Sequence, residues 1–87
     1  MVTIRLPSML TSYTGGNSIF KLNSVNVKDL LDELDDMFPG IKFRFINELN
    51  QIRPHMCIYV NGVQIDEVNY PIRDEDMVFI AQALSGG

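Results

Sequence analysis

The sequence predicts a two-layer α+β domain, with one main helix packed on one sheet, and three features carry that expectation. Residues Val27 to Phe38 place apolar side chains at helical spacing. The segments Val2–Leu6, Ser18–Leu22, Met56–Val60 and Met77–Ala81 alternate or run apolar over strand lengths. Between apolar stretches stands Asn61-Gly62, the pair preferred in a two-residue type I′ hairpin. A striped helix must bury its stripe, and a sheet face provides the surface. With 87 residues there is material for one core, so residues 1–87 are expected to form a single domain.

Each element follows from local chemistry. Val2-Thr3-Ile4-Arg5-Leu6 alternates with the period of a half-buried strand, and Pro7 ends it. Ser8 to Asn17 reads as a loop, closed by the turn signal Thr14-Gly15-Gly16-Asn17. Ser18 to Leu22 then returns as a second strand, antiparallel to the first. Asn26 is a suitable helix N-cap, and Asp29 adds a carboxylate at the positive end of the helix dipole. Val27, Leu30, Leu31, Leu34, Met37 and Phe38 form the stripe, with acids opposite, and Pro39-Gly40 stops the helix. Lys28 and Asp32, four residues apart, suit a surface pair. Ile41 to Leu49 fits a short helical turn or an irregular connector. Met56–Val60 and Val63–Ile65 form the hairpin around Asn61-Gly62. The polar turn Asp74-Glu75-Asp76 leads to the last strand, Met77–Ala81, and residues 82–87 are expected to be a flexible tail ending in Gly86-Gly87.

Composition narrows the function. The net charge is −4, from seven Lys/Arg against eleven Asp/Glu, which disfavours nucleic acid as the main partner. Five acids gather at Asp29, Asp32, Glu33, Asp35 and Asp36; a solvated helix face explains them most simply, and a patch that steers a basic partner is the sharper reading. The single cysteine, Cys57, lies in the apolar run Met56–Val60, where a semi-buried structural thiol is expected, and no internal disulfide is possible. No apolar stretch approaches the roughly 18 residues of a membrane span, and no signal-peptide pattern opens the chain. A cytoplasmic location is expected.

Catalytic constellations fail on residue count. His55 is the only histidine, so it cannot build a histidine metal cluster, and a Cys57/His55 dyad has no evident group to orient the imidazole. Gly15-Gly16 lacks the lysine and spacing of a phosphate loop. The chain does not read as a self-sufficient enzyme, and no permanently bound cofactor or metal is expected. The terminal Gly86-Gly87 offers a different chemistry. Without side chains, these residues can thread a narrow channel. Adenylyl transfer from ATP would turn the inert Gly87 carboxylate into an acyl adenylate, and a sulfur nucleophile displacing AMP would leave a thiocarboxylate, a deliverable form of sulfide.

Taken in order, Val27-Lys28-Asp29-Leu30-Leu31, Tyr59-Val60-Asn61-Gly62, Asp74-Glu75-Asp76-Met77-Val78 and Gly86-Gly87 resemble the ThiS/MoaD-like sulfur carriers, which share the ubiquitin-like β-grasp fold. The resemblance covers essentially the whole chain and implies a mixed sheet packed on one main helix. Pro7, Leu10, Thr14-Gly15-Gly16, Gly40-Ile41, Ile52-Arg53 and Ile58-Tyr59-Val60-Asn61 are similar to the CysO-like subgroup, which serves amino-acid biosynthesis. Molybdopterin synthase small subunits usually carry Pro-Pro where this chain has Ala81-Gln82, and thiamine-pathway carriers are shorter through these loops. The resemblance implies an E1-like adenylating enzyme that spends ATP on Gly87. It also implies a PLP-dependent sulfhydrylase and a JAMM-type zinc metalloprotease as partners, with ATP, PLP and zinc belonging to them.

Strand alternation places Tyr59, Phe79 and Ala81 outward if Val78 and Ile80 face the core. Together with Ala83, Leu84 and Ser85 of the tail they are the expected partner contacts of a monomer. Three functions stay open: a sulfur carrier, a ubiquitin-like protein modifier using the same terminus on lysines, and a β-grasp interaction module with an idle tail. Among carriers, the molybdopterin and thiamine pathways are alternatives to a sulfur amino acid such as cysteine or homocysteine.

Overall fold

The computed structural model describes residues 1–83. Five strands, β1 (Val2–Arg5), β2 (Ile19–Leu22), β3 (Met56–Val60), β4 (Val63–Ile65) and β5 (Met77–Gln82), form one sheet in the order β2-β1-β5-β3-β4. The central pair β1 and β5 is parallel; the other neighbours are antiparallel. The sheet is therefore mixed, as expected. One helix, α1 (Val27–Met37), crosses one face.

The α1 N-terminus is built as its sequence dictates. Asn26 Oδ1 accepts the Asp29 N–H at 2.7 Å, satisfying a donor that the first helical turn leaves free. Val27, Leu30, Leu31 and Leu34 are completely buried. Met37, expected in the stripe, is instead 44% exposed. The helix ends there, and Phe38 takes the last core position, its ring centroid 5.3 Å from that of Phe20. Opposite α1, the sheet contributes Val2, Ile4, Ile58, Val78 and Ile80, and Ile41, Phe45 and Ile46 close one end of the core.

Two stretches are more ordered than their composition suggests. Ser8–Tyr13, expected as loop, winds into a 3₁₀ segment that tucks Leu10 into the core. Thr14, the one buried polar side chain among the described residues, donates its hydroxyl to backbone carbonyls of Thr11 and Asn17. Lys42–Arg44 forms one 3₁₀ turn, deciding for the helical alternative at the start of the connector. The following loop closes on Asn47, whose Oδ1 accepts the N–H groups of Leu49 and Gln51.

The helix acids do more than solvate a face. Asp32 bridges Lys28 and Lys42, both at 2.9 Å, and Asp35 accepts the backbone N–H groups of Gly40 and Lys42. Glu33 accepts the Ser24 hydroxyl. These carboxylates pin the helix to its flanking turns. The Lys42 hydrogen bond, followed by Lys28, holds the Asp32 carboxyl below its ordinary value against the opposing effect of burial. Asp32 in turn raises Lys42.

Candidate functional site

The open face of the sheet is assembled by strand register. Arg5 lies opposite Phe79 across the parallel pair, and Phe79 lies opposite Tyr59 across the β3–β5 pair. Extending the row outward, Ile19 faces Arg5 and Gln64 faces Tyr59. One line of side chains, Ile19–Arg5–Phe79–Tyr59–Gln64, therefore crosses all five strands. Each belongs to the parity that points away from α1, because Ile4, Val60, Ile65, Val78 and Ile80 are buried and Phe20 packs against the core.

The centre of this row is apolar and half-open. The Tyr59 and Phe79 ring centroids are 6.2 Å apart, and the Arg5 guanidinium carbon stands 5.7 Å from the Phe79 centroid. Phe79 remains 39% exposed, and Met77 beside it 53%. Arg5, Tyr59, Met77, Phe79 and Ala81, with Asn61 and Gly62 at the rim, line one shallow concavity. Tyr59, Phe79 and Ala81, expected as partner contacts, are thus brought together. Arg5 and Met77 were not anticipated. Their parity was legible in the alternation, but their adjacency depends on the parallel β1–β5 pairing, which local pattern does not encode.

Asn61 fixes the rim. Its φ of 50° and that of Gly62, 85°, match the type I′ turn expected from the pair. Its side chain clasps the start of β5: Oδ1 accepts the Met77 N–H and Nδ2 donates to Asp76, both at 2.9 Å. That amide, then the Arg73 backbone N–H and the Arg73 charge, holds the Asp76 carboxyl below its ordinary value.

At the other end of β5 the ladder extends one residue beyond the expected strand. Gln82, expected in the tail, pairs with Met56, and the Ala83 N–H donates to the His55 carbonyl at 2.8 Å. Backbone bonding between partner strands favours Gln82 over a free end. Leu84, Ser85, Gly86 and Gly87 lie outside the described residues. Cys57 is half-buried on the open-face parity opposite Ala81, in keeping with a structural thiol. Among the described residues no three His, Cys, Asp or Glu side chains form a metal-ligand group, and no helix is long and apolar enough to cross a membrane.

A match to the ThiS family spans residues 4–87. The chain belongs to the ThiS family. It superposes with a TM-score of 0.91 on a chain of the BexX/CysO complex of Amycolatopsis orientalis, at 26% identity and with 100% of each chain covered. CysO of Mycobacterium tuberculosis gives 0.90 at 24% identity, covering 97% of this chain and 100% of that one. Small archaeal modifier protein 1 of Methanosarcina acetivorans gives 0.80 at 22%, covering 99% and 95%. No curated protein matches significantly. As a ThiS-family member, the chain has the ubiquitin-like β-grasp fold of the sulfur carriers, with α1 lying across one side of a five-stranded mixed sheet.

Proposed function

We propose that this ThiS-family chain is a sulfur carrier whose working group is the Gly87 carboxylate. An E1-like enzyme joins that carboxylate to the AMP moiety of ATP, releasing pyrophosphate. A sulfur nucleophile then displaces AMP, and the thiocarboxylate on Gly87 donates its sulfur in biosynthesis, here assigned to a sulfur amino acid, cysteine or homocysteine. The chain acts as a protein co-substrate in the cytoplasm, and the ATP is consumed by its partner. A PLP-dependent sulfhydrylase and a JAMM-type zinc metalloprotease are the partners proposed for the later steps.

The observation that carries this reading is the family match, which runs to Gly87 and so includes the Gly86-Gly87 pair. The geometry offers support. The sheet pairs β5 with β1 over Met77–Phe79 and with β3 on to Gln82, five residues before Gly87. The ordered strand thus leads into the segment that carries the proposed reactive group, and the Tyr59–Phe79–Ala81 surface on the same sheet is assigned to docking. Ala83, Leu84 and Ser85 are assigned to the partner's channel, and the glycines to its reaction centre, where a Cβ would obstruct close approach. The neighbour crystallised as the BexX/CysO complex supports partner docking as a mode of action for this fold.

Intact-protein mass spectrometry with ATP, a sulfide source and an E1-like enzyme tests the proposal. The expected result is a mass gain equal to exchange of one oxygen for sulfur, localised to Gly87 and lost when Gly87 is deleted. Sulfur loading retained by the deletion variant overturns it. A Gly87–lysine isopeptide on other proteins, without sulfur transfer, would instead assign the chain as a modifier.

A further inference from the structure

A second surface flanks the end of β5, on the side of the sheet opposite Tyr59 and Phe79. Gln82 shares the parity of Ile80 and pairs with the buried Met56, so its side chain belongs to the α1 side, beyond the area the helix covers. There it lines a concavity with Met9, Tyr13, Arg44 and His55. A second concavity adjoins it, lined by Phe43, Arg44, Arg53 and His55. Arg44 and His55 are common to both. Through the Ala83–His55 backbone bond, the end of the described chain is tied to this corner.

The charge here opposes that of the whole molecule. The chain carries −4 overall, yet two arginines and its only histidine converge at this corner. Among the described residues the ion pairs are Lys28–Asp32, Lys42–Asp32 and the N-terminal amine with Asp74. Neither Arg44 nor Arg53 takes part. Arg53 is nevertheless held in place: its Nε donates to the Phe43 carbonyl at 2.7 Å, and its backbone N–H donates to Phe45. One guanidinium edge is thus anchored while the terminal nitrogens make no hydrogen bond among the described residues. A fixed fork loses less freedom when it pairs with a carboxylate.

We propose that Arg44, Arg53 and His55 form a docking patch for carboxylates of the protein that receives the tail, supplied by Asp and Glu side chains of an acidic surface. The assignment rests on the carrier reading, because it presumes a partner that grips residues beyond Ala83. Charge complementarity selects the occupant: Arg44 and Arg53 meet at the end of β5 with no Asp or Glu lining either concavity, so an acidic protein surface is drawn to this corner of a chain that is net negative. The apolar rim favours protein over a nucleotide phosphate. Met9 is 60% and Tyr13 39% exposed, and a protein surface covers them while pairing with the arginines, whereas a phosphate leaves them in water.

Two measurements on the full chain test this. The first titrates the isotope-labelled protein with a hexaglutamate peptide and, separately, with pyrophosphate at equal charge, followed by NMR. Hexaglutamate should shift the amides of Arg44, Arg53 and His55, and the response should vanish in Arg44→Glu/Arg53→Glu. No response, or a response to pyrophosphate at lower concentration than to the peptide, overturns the assignment. The second measures ATP–pyrophosphate exchange by the E1-like enzyme. Arg44→Glu and the double variant should raise the KM for the carrier, the double by at least about tenfold, with kcat unchanged and the effect shrinking at high salt. The single variant leaves the Arg53 anchor intact, guarding against misfolding. An unchanged KM in both variants overturns the patch while leaving the carrier reading standing. Absence of exchange with the unmodified chain overturns the carrier reading, and the peptide titration still judges the patch.

Discussion

On the covered side of the sheet, Val2, Ile4, Ile58, Val78 and Ile80 lie beneath α1, and none exposes more than 1% of its surface. On the open side, the same strands present Arg5, Cys57, Tyr59, Met77 and Phe79, all half-buried or exposed. The strands alternate between the two sets residue by residue, so the difference is one of partner rather than backbone. The covered side is completed by the molecule itself. The open side carries an aromatic pair and a stacked arginine for which the fold provides no cover, so substitutions on the two sides should separate stability from recognition.

The largest effect on folding is expected beneath the helix. Leu34→Ala empties a site with no solvent access and should cost about 2–5 kcal/mol, read as a lowered denaturant midpoint with an unchanged slope. A loss under about 1 kcal/mol would mean that the helix–sheet contact is looser than drawn. On the open side, Phe79→Ala should weaken partner binding by about 2 kcal/mol, roughly 30-fold, as an exposed aromatic anchor does. Folding stability should fall by only about 0.5–1 kcal/mol, the worth of cross-strand pairs. Equal losses in both assays would break the division between the sides. Next comes Asn26→Ala, expected to cost about 1 kcal/mol of stability through the lost helix cap and to leave partner binding unchanged.

The acidic clasps give a direction with pH. Asp32 and Asp76 both have carboxyls held below their ordinary value of 3.8, so their contribution is present above that value and is lost as pH falls through the folded-state value. Acid urea titrations should show this decline, and Asn61→Ala should remove part of it by freeing Asp76. Lys42, raised above 10.5, acts at the other extreme: its contribution is present below that value and lost as pH rises through the folded-state value. The smallest effect belongs to Lys28→Ala, about 0.3–0.5 kcal/mol for an exposed helical pair, detectable as a slight shift in the denaturant midpoint.

What the sequence revealed depended on how local the cause was. The α1 cap, the Asn61-Gly62 turn and the alternation of β1, β3 and β5 were legible because each rests on residues within a few positions of one another. Cross-strand company was not. Arg5 joins Phe79 through the parallel register of strands far apart in sequence, and that register follows from closure of the whole sheet. The 3₁₀ segment at Ser8–Tyr13 was missed because a single side chain, Leu10, anchors it to the core, and one buried position sets no helical periodicity. At the candidate site, Tyr59, Phe79 and Ala81 were recoverable from parity alone. The cationic corner was not, because it draws on the first loop, the connector and the end of β5 together.

The central position of β5 also orders events in time. Because β1 and β3 both pair with β5 and not with each other, a nascent chain that has yet to reach Met77 holds two half-sheets with no strand to join them. Of the sheet's pairings, only the local β1–β2 and β3–β4 ones are available before Met77, and the slow, distant pairings wait for β5. A chain broken off before residue 77 would leave the inner edges of both hairpins unpaired, inviting aggregation and degradation. The surfaces beside β5 are thus assembled only in chains translated through that strand.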